Sequence, residues 1–258
     1  MSSHVEFRIE QMHVKDYEAC LAIAIQSFMT RNLVIKHLKV PGDELESIFR
    51  KDTKDSVKAG LCMIAKSNKN DEIAGFLFCH QCDFMLPEED EKPPIGCNLR
   101  HSYDAGEALY LQAAWWTSIG LAQVARGETL RVVAGATADG YEGKGVGTLL
   151  RCSLLDFARK QGFRRVLVEA ISPATIHIWG KAAYELRAKM KLSAFIGANG
   201  IQHFERIDPV DMEMAIFEGL VDKTTSLSDN VSWLFWLGVI LSKYRRWFKP
   251  YEQVTPES

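Results

Sequence analysis

Little in this chain points to an oxidising compartment or to a polyanionic partner. Six cysteines spread over 258 residues are too sparse for a disulfide scaffold, so they read as thiols or metal ligands in a reducing compartment. Neither charge dominates: 31 basic and 33 acidic residues give a net charge of -2, which leaves no basic field to hold nucleic acid. Met1 to Arg8 lacks a basic stretch leading into an apolar run and a small-residue cleavage site, so a cytoplasmic chain is expected. The strongest apolar run, Val231 to Leu241, is shorter than the ~20 residues that span a bilayer. Internal repeats and long low-complexity segments are also missing. What remains is an ordinary globular composition, 47% hydrophobic and 25% charged, able to bury one large core or two modest ones.

Patterning along the chain gives a mixed α/β order. Val5, Phe7 and Ile9 alternate with polar residues as in a half-buried strand, and Asp16 precedes helical spacing over Tyr17 to Met29. Pro41-Gly42-Asp43 breaks the chain before a further helix beginning around Glu44 to Phe49. Leu61 to Ala65 and Ile73 to Cys79 are short apolar runs separated by a polar turn, the pattern of a hairpin. Pro87, the acidic run Glu88-Glu89-Asp90-Glu91 and Pro93-Pro94 favour an exposed loop, and Ala105 to Val124 is rich in helix formers and aromatics. Together they suggest a helical insertion over about 81–129. Leu130 to Thr137 then reads as a strand, Gly147 to Gln161 as an amphipathic helix carrying Leu149, Leu150, Leu154 and Phe157, and Arg165 to Ala170 as a strand. Pro173 to Leu186 follows as a helix with proline in its first turn, and Met212 to Phe217 as a last strand.

Between the strand at 130–137 and the helix at 147–161 lies Thr137-Ala138-Asp139-Gly140-Tyr141-Glu142-Gly143-Lys144-Gly145-Val146-Gly147-Thr148. Glycines there let successive backbone N–H groups converge on an anion, and the helix N-terminus adds its partial positive charge. A phosphate-bearing ligand is the natural guest, although a glycine-rich turn with no ligand has the same pattern. Two nucleotide alternatives fail: Lys144 is followed by Gly145 rather than Ser or Thr, and several strands precede the loop where a dinucleotide fold places it after the first.

Tyr141-Glu142-Gly143-Lys144-Gly145-Val146-Gly147, followed by Thr148-Leu149-Leu150, resembles the coenzyme A pyrophosphate loop of GCN5-related N-acetyltransferases. That loop is usually Gln/Arg-x-x-Gly-x-Gly/Ala; Gly145 and Gly147 occupy the glycine positions and Glu142 stands where the family has Gln or Arg. A second segment, His177-x-x-Gly180-x-x-x-Tyr184-Glu185, resembles the family's Asn-x-x-Ala-x-x-x-Tyr-Glu/Lys helix. The order of elements supports the likeness over about residues 5 to 218. The resemblance implies a mostly antiparallel central sheet flanked by helices, a domain over 1–219, and a helical extension over 220–258. It also implies acyl transfer from acetyl-coenzyme A, or another acyl-coenzyme A, to a primary amine of a small molecule or peptide.

By the same resemblance, Gly135, Ala136 and Thr137 offer backbone groups to the pantetheine arm. Glu142, Gly143, Lys144, Gly145, Val146, Gly147, Thr148 and His177 contact the cofactor, and Tyr184 protonates the leaving thiolate. Glu169 is the best-placed carboxylate for general base, with Glu107, His101, His177 and a water chain as alternatives. The insertion also resembles segments that shape the acceptor site in arylalkylamine-type members, where Tyr110, Trp115 and Trp116 would serve.

Two features compete with this reading. Cys79-x-x-Cys82, with Cys97-x-x-x-His101 further on, has spacing compatible with a zinc site, although Cys79 ends a strand where a buried thiol packs well. No metal is assigned on this basis. The apolar run at 231–241 leads into Lys243, Arg245, Arg246, Trp247 and Lys249, so residues 228–249 suit either an interfacial membrane contact or a dimer contact.

Overall fold

Seven strands form one sheet in the order β1-β2-β3-β4-β5-β7-β6, and every neighbouring pair is antiparallel except β4 with β5. The strands are β1 (Phe7–Gln11), β2 (Met63–Ser67), β3 (Ile73–Gln81), β4 (Thr129–Thr137), β5 (Arg165–Ala170), β6 (Glu185–Lys191) and β7 (Glu213–Leu220). The helices are α1 (Tyr17–Arg31), α2 (Leu33–Leu38), α3 (Gly42–Lys58), α4 (Val146–Lys160) and α5 (Pro173–Lys181). This is a computed structural model that describes residues 6–82, 127–194, 202, 204–209 and 211–221. The expected insertion and C-terminal extension therefore lie outside the described residues, apart from residues 81, 82 and 127–129 at the edges of the insertion and residues 220 and 221 at the start of the extension.

The two faces of the sheet are covered separately. On one, Tyr17, Leu21 and Ala24 of α1 and Leu45, Phe49 and Val57 of α3 pack against Ile64, Phe76, Phe78 and Ala134. The Phe76 and Phe78 rings lie 4.5 Å apart, and Phe28 meets Phe49 edge-on at 5.0 Å. Because side chains alternate along a strand, Gly75 faces the other side. There α4 lies across β1 to β5 with Val146, Leu150, Leu154, Leu155 and Ala158 buried. A β-carbon on Gly75 would stand 2.8 Å from Val146 Cγ1 and 2.9 Å from the Ala136 carbonyl oxygen, so the missing side chain lets the start of α4 press onto the sheet.

One expected element is replaced. The helix predicted over Pro173 to Leu186 stops at Lys181: Ala182 turns out of helical geometry (φ -102°, ψ 47°), Ala183 is left-handed (φ 51°), and residues 185–191 pair with β7 as strand β6. Glu185, Arg187, Lys189 and Lys191 look helical by propensity, but β6 is the sheet edge, where charged side chains suit a strand with one open side. Tyr184 accordingly sits in the connection and not on the helix. The short helix α2 was also not expected. It is started by Asn32, whose side-chain oxygen accepts from the Val34 and Ile35 amides at 3.0 and 3.1 Å.

The feature that positions the site is a parting of strands. β4 pairs with β5 only over Thr129 to Val132 against Arg165 to Val168. Beyond that point β4 continues along β3 to Thr137 and β5 along β7 to Ala170, and the two no longer touch as a ladder.

Candidate active site

The glycine loop leaves the far end of β4 and enters α4 immediately beside this parting. Gly140, Gly143 and Gly145 have φ of 82°, 72° and 83°, and a β-carbon on any of them would meet nothing within 4 Å. Their role is thus conformational. Gly145 is the N-cap of α4 and no side chain caps the helix, so its first amides have no intrahelical or capping acceptor. Those amides and the helix dipole form an anion cradle open to solvent, with Glu142, Gly143, Lys144 and Gly145 exposed. The loop is pinned at its base by Ala138, whose amide donates to the Ala74 carbonyl at 2.9 Å, and by the Tyr141 hydroxyl on Glu72 at 2.7 Å. Lys144 Nζ lies 5.1 Å from the Tyr141 ring centre.

Glu142, whose carboxylate would oppose a pyrophosphate, is paired from α1. Arg31 donates through Nη2 to Glu142 Oε1 at 2.5 Å and to the Asp139 carboxylate, and through Nη1 to the Thr137 carbonyl at 3.4 Å. The loop's own amides at Glu142 and Gly140, with Arg31 added, hold the Glu142 carboxyl below its ordinary range.

Behind the loop, the gap between β4 and β5 is a cavity of about 240 Å³. Val132 to Gly135 of β4 form one wall and Val168, Glu169 and Ala170 of β5 the other. Ser27, Phe28 and Arg31 at the end of α1 close it from one face of the sheet, and Arg151 of α4 with Thr175 and Trp179 of α5 from the opposite face. α5 is aimed by Ser172, whose hydroxyl caps it by accepting from the Thr175 amide at 3.1 Å, with Pro173 in the first turn. Glu169 sits in the cavity wall one residue past the last β4–β5 pair and accepts from Arg131 Nη2 at 2.8 Å.

The sequence-predicted residues therefore divide. Gly135 and Glu169 line the cavity; Glu142 to Thr148 form the loop and first helical turn at its mouth; Ala136 and Thr137 continue β4 between them. His177 is exposed on α5 and is not in the cavity wall. Tyr184 is buried and also absent from the wall. Its hydroxyl donates to the Arg151 carbonyl at 3.4 Å, and its ring meets Trp179 edge-on at 4.8 Å. Burial pushes this phenol well above its ordinary value. Residues that sequence reading passed over, Arg31, Arg151 and Trp179, bound the cavity instead. Arg151 did carry a signal, being a lone charge on the apolar stripe between Leu150 and Leu154.

Of the residues whose spacing is compatible with zinc, Cys79 is fully buried, its amide donating to Cys62 Sγ at 3.3 Å, and burial raises its thiol well above the usual range. Cys97 and His101 lie outside the described residues, as do Glu107, Tyr110, Trp115, Trp116, residues 88–91 and residues 228–249. Among the described residues no cluster could hold a metal ion, and no helix is long and apolar enough to cross a membrane.

No family model and no curated protein matches this sequence. Solved structures do match. The C-terminal condensation domain of Ebony, in complex with beta-alanyl-dopamine, shares 14% identity over 84% of this chain and 99% of its own, with a TM-score of 0.70. The chain has the GCN5-related N-acetyltransferase fold. Two further structures with this fold are arylalkylamine N-acetyltransferase 2 of Aedes aegypti (17% identity, 84% and 99% coverage, TM-score 0.65) and a polyamine N-acetyltransferase of Drosophila melanogaster (16%, 83% and 100%, 0.60). The expected fold thus agrees with solved structures matched over 83–84% of this chain, two of which are an arylalkylamine and a polyamine N-acetyltransferase.

Proposed function

We propose that this protein is an acyl-coenzyme A-dependent N-acyltransferase acting on a small primary amine. The observation that carries the proposal is the coincidence of two features: an anion cradle at the start of α4 and a gap that opens between β4 and β5 beside it. A pyrophosphate on the loop amides would let a pantetheine arm run into the gap along Val133 to Thr137, whose backbone has no strand partner on the β5 side. The residues fit that guest: a β-carbon on any of Gly140, Gly143 and Gly145 would meet nothing, and Arg31 pairs with Glu142 and Asp139, the carboxylates beside the cradle. The fold neighbours named for arylalkylamine, polyamine and beta-alanyl-dopamine support a small-amine acceptor.

In this reading the amine reaches the thioester from the side of α1. The amine nitrogen forms a bond to the acyl carbon as the carbon–sulfur bond breaks, directly within a ternary complex. Glu169, held by Arg131 in the cavity wall, takes the proton the nitrogen sheds, and the departing thiolate gains one. The resemblance makes Tyr184 the donor of that second proton. Its buried hydroxyl on the Arg151 carbonyl supports a positioning role for it, bracing α4 and Trp179 behind the cavity.

The test is thermal stabilisation by acetyl- and longer acyl-coenzyme A, then thiol release with arylalkylamines, polyamines, amino sugars and peptides. Stabilisation with turnover is expected, and Glu169→Gln should lower turnover by about 100-fold or more at unchanged cofactor binding. Stabilisation without turnover across the panel would make the chain a non-catalytic acyl-coenzyme A-binding protein. No shift with any coenzyme A form would sink the proposal.

A further inference from the structure

Among the charged groups of the cavity, Arg151 stands apart. Arg31 is compensated by Asp139 and Glu142, and Glu169 by Arg131. Arg151 is only 8% exposed and has no carboxylate partner among the described residues. Its Nε meets no acceptor, its Nη1 donates to the Gly147 carbonyl at 2.8 Å, and its guanidinium carbon lies 4.9 Å from the centre of the Trp179 ring. Burial pulls it down to about 10, still charged at neutral pH. A buried guanidinium held by one carbonyl and one ring is an expensive way to fill a position on an apolar stripe, where leucine or methionine would pack at lower cost.

The position of this charge selects among anions. The pyrophosphate cradle consists of exposed amides at the loop, whereas Arg151 sits one helical turn further on and lines the cavity between the strands. A planar guanidinium with free donors matches a carboxylate, which it can hold through two parallel hydrogen bonds. A cavity of about 240 Å³ suits a short group and not a long acyl chain.

Building on the acyl-transfer reading, we infer that one reactant brings a carboxylate into the cavity and that Arg151 is the specificity residue that receives it. The carboxylate belongs either to the acyl group, as in a dicarboxylic half-thioester, or to the acceptor, as in an amino acid.

Binding to the full chain separates these sources without requiring turnover. Succinyl-coenzyme A is titrated against acetyl-coenzyme A, and, with coenzyme A present, a panel of amino acids is titrated against the amines that lack only the carboxylate. One arm should show at least tenfold tighter binding of the carboxylate-bearing member. Arg151→Met should erase that ratio while melting at or above the parent temperature without ligand, and Arg151→Lys should keep part of it. Equal affinities in both arms, or a ratio that survives in Arg151→Met, would overturn the inference and leave acyl transfer standing. Should Arg151→Met not fold, a full parental ratio in Arg151→Lys would count against bidentate recognition and overturn it likewise. If no coenzyme A form binds at all, the acyl-transfer reading falls and takes this inference with it.

Discussion

Two glycines about seventy residues apart in sequence frame the site for opposite reasons. Gly145 stands in open space with a backbone (φ 83°) that side chains rarely adopt, whereas Gly75 has no such angle and no room, its missing β-carbon being claimed by Val146 and the Ala136 carbonyl. The loop needs glycine for conformation; the sheet beneath it needs glycine for contact. A ligand cradle built from exposed backbone is thus carried by a strand whose packing holds the helix start in place. Function and stability should separate when each glycine is changed.

The largest effect is expected at the loop. Gly145→Asp adds a carboxylate to the cradle and a strained left-handed residue, so coenzyme A affinity should fall by about 100-fold or more, roughly 2.7 kcal/mol, read by calorimetry. Its melting temperature without ligand should change far less than its affinity. Gly75→Ala should do the reverse, costing about 1–3 kcal/mol by overpacking in a denaturant titration. A loss of coenzyme A binding in Gly75→Ala with no loss of stability would break the distinction.

Tyr184→Phe comes next. Removing its hydrogen bond to the Arg151 carbonyl should cost about 0.5–1.5 kcal/mol of stability and leave turnover within about threefold. A tenfold fall in turnover at unchanged melting temperature would instead make this tyrosine the general acid that the resemblance implies. The smallest effect belongs to Arg31→Ala. Its ion pairs are exposed, so stability should move by no more than about 1 kcal/mol. Binding of coenzyme A should weaken severalfold as Glu142 loses its counter-charge, and adding Glu142→Gln should recover most of it. Full parental affinity in Arg31→Ala alone would show that Glu142 needs no neutralising partner.

How legible the molecule was follows the range of the interactions involved. The loop could be read because its chemistry is local: glycines at fixed spacing before an amphipathic helix specify a turn and a helix N-terminus with no help from the rest of the chain. Arg165 to Ala170, with Val166, Leu167 and Val168 buried in succession, is legible as a strand to the residue for the same reason. β6 could not be read, because its charged residues become a strand only by pairing with β7, more than twenty residues away. That pairing ended α5 early and took Tyr184 off the helix where the motif had placed it.

The cavity was the least legible part. Its walls come from α1, β4, β5, α4 and α5, and its width depends on where one ladder stops, at Val132 and Val168. No spacing along the chain records that.

The sequence by itself thus determined the order of most elements, the glycine loop before α4 and the likeness that names the fold, because periodicity and glycine placement are properties of neighbouring residues. Only the tertiary structure decided that Glu142 is answered by Arg31, that Tyr184 stands behind the cavity wall, and that Arg151 meets it without a carboxylate partner among the described residues. Compensation of charge is a matter of distance through space, and side chains over a hundred residues apart acquire that distance only when the sheet is assembled.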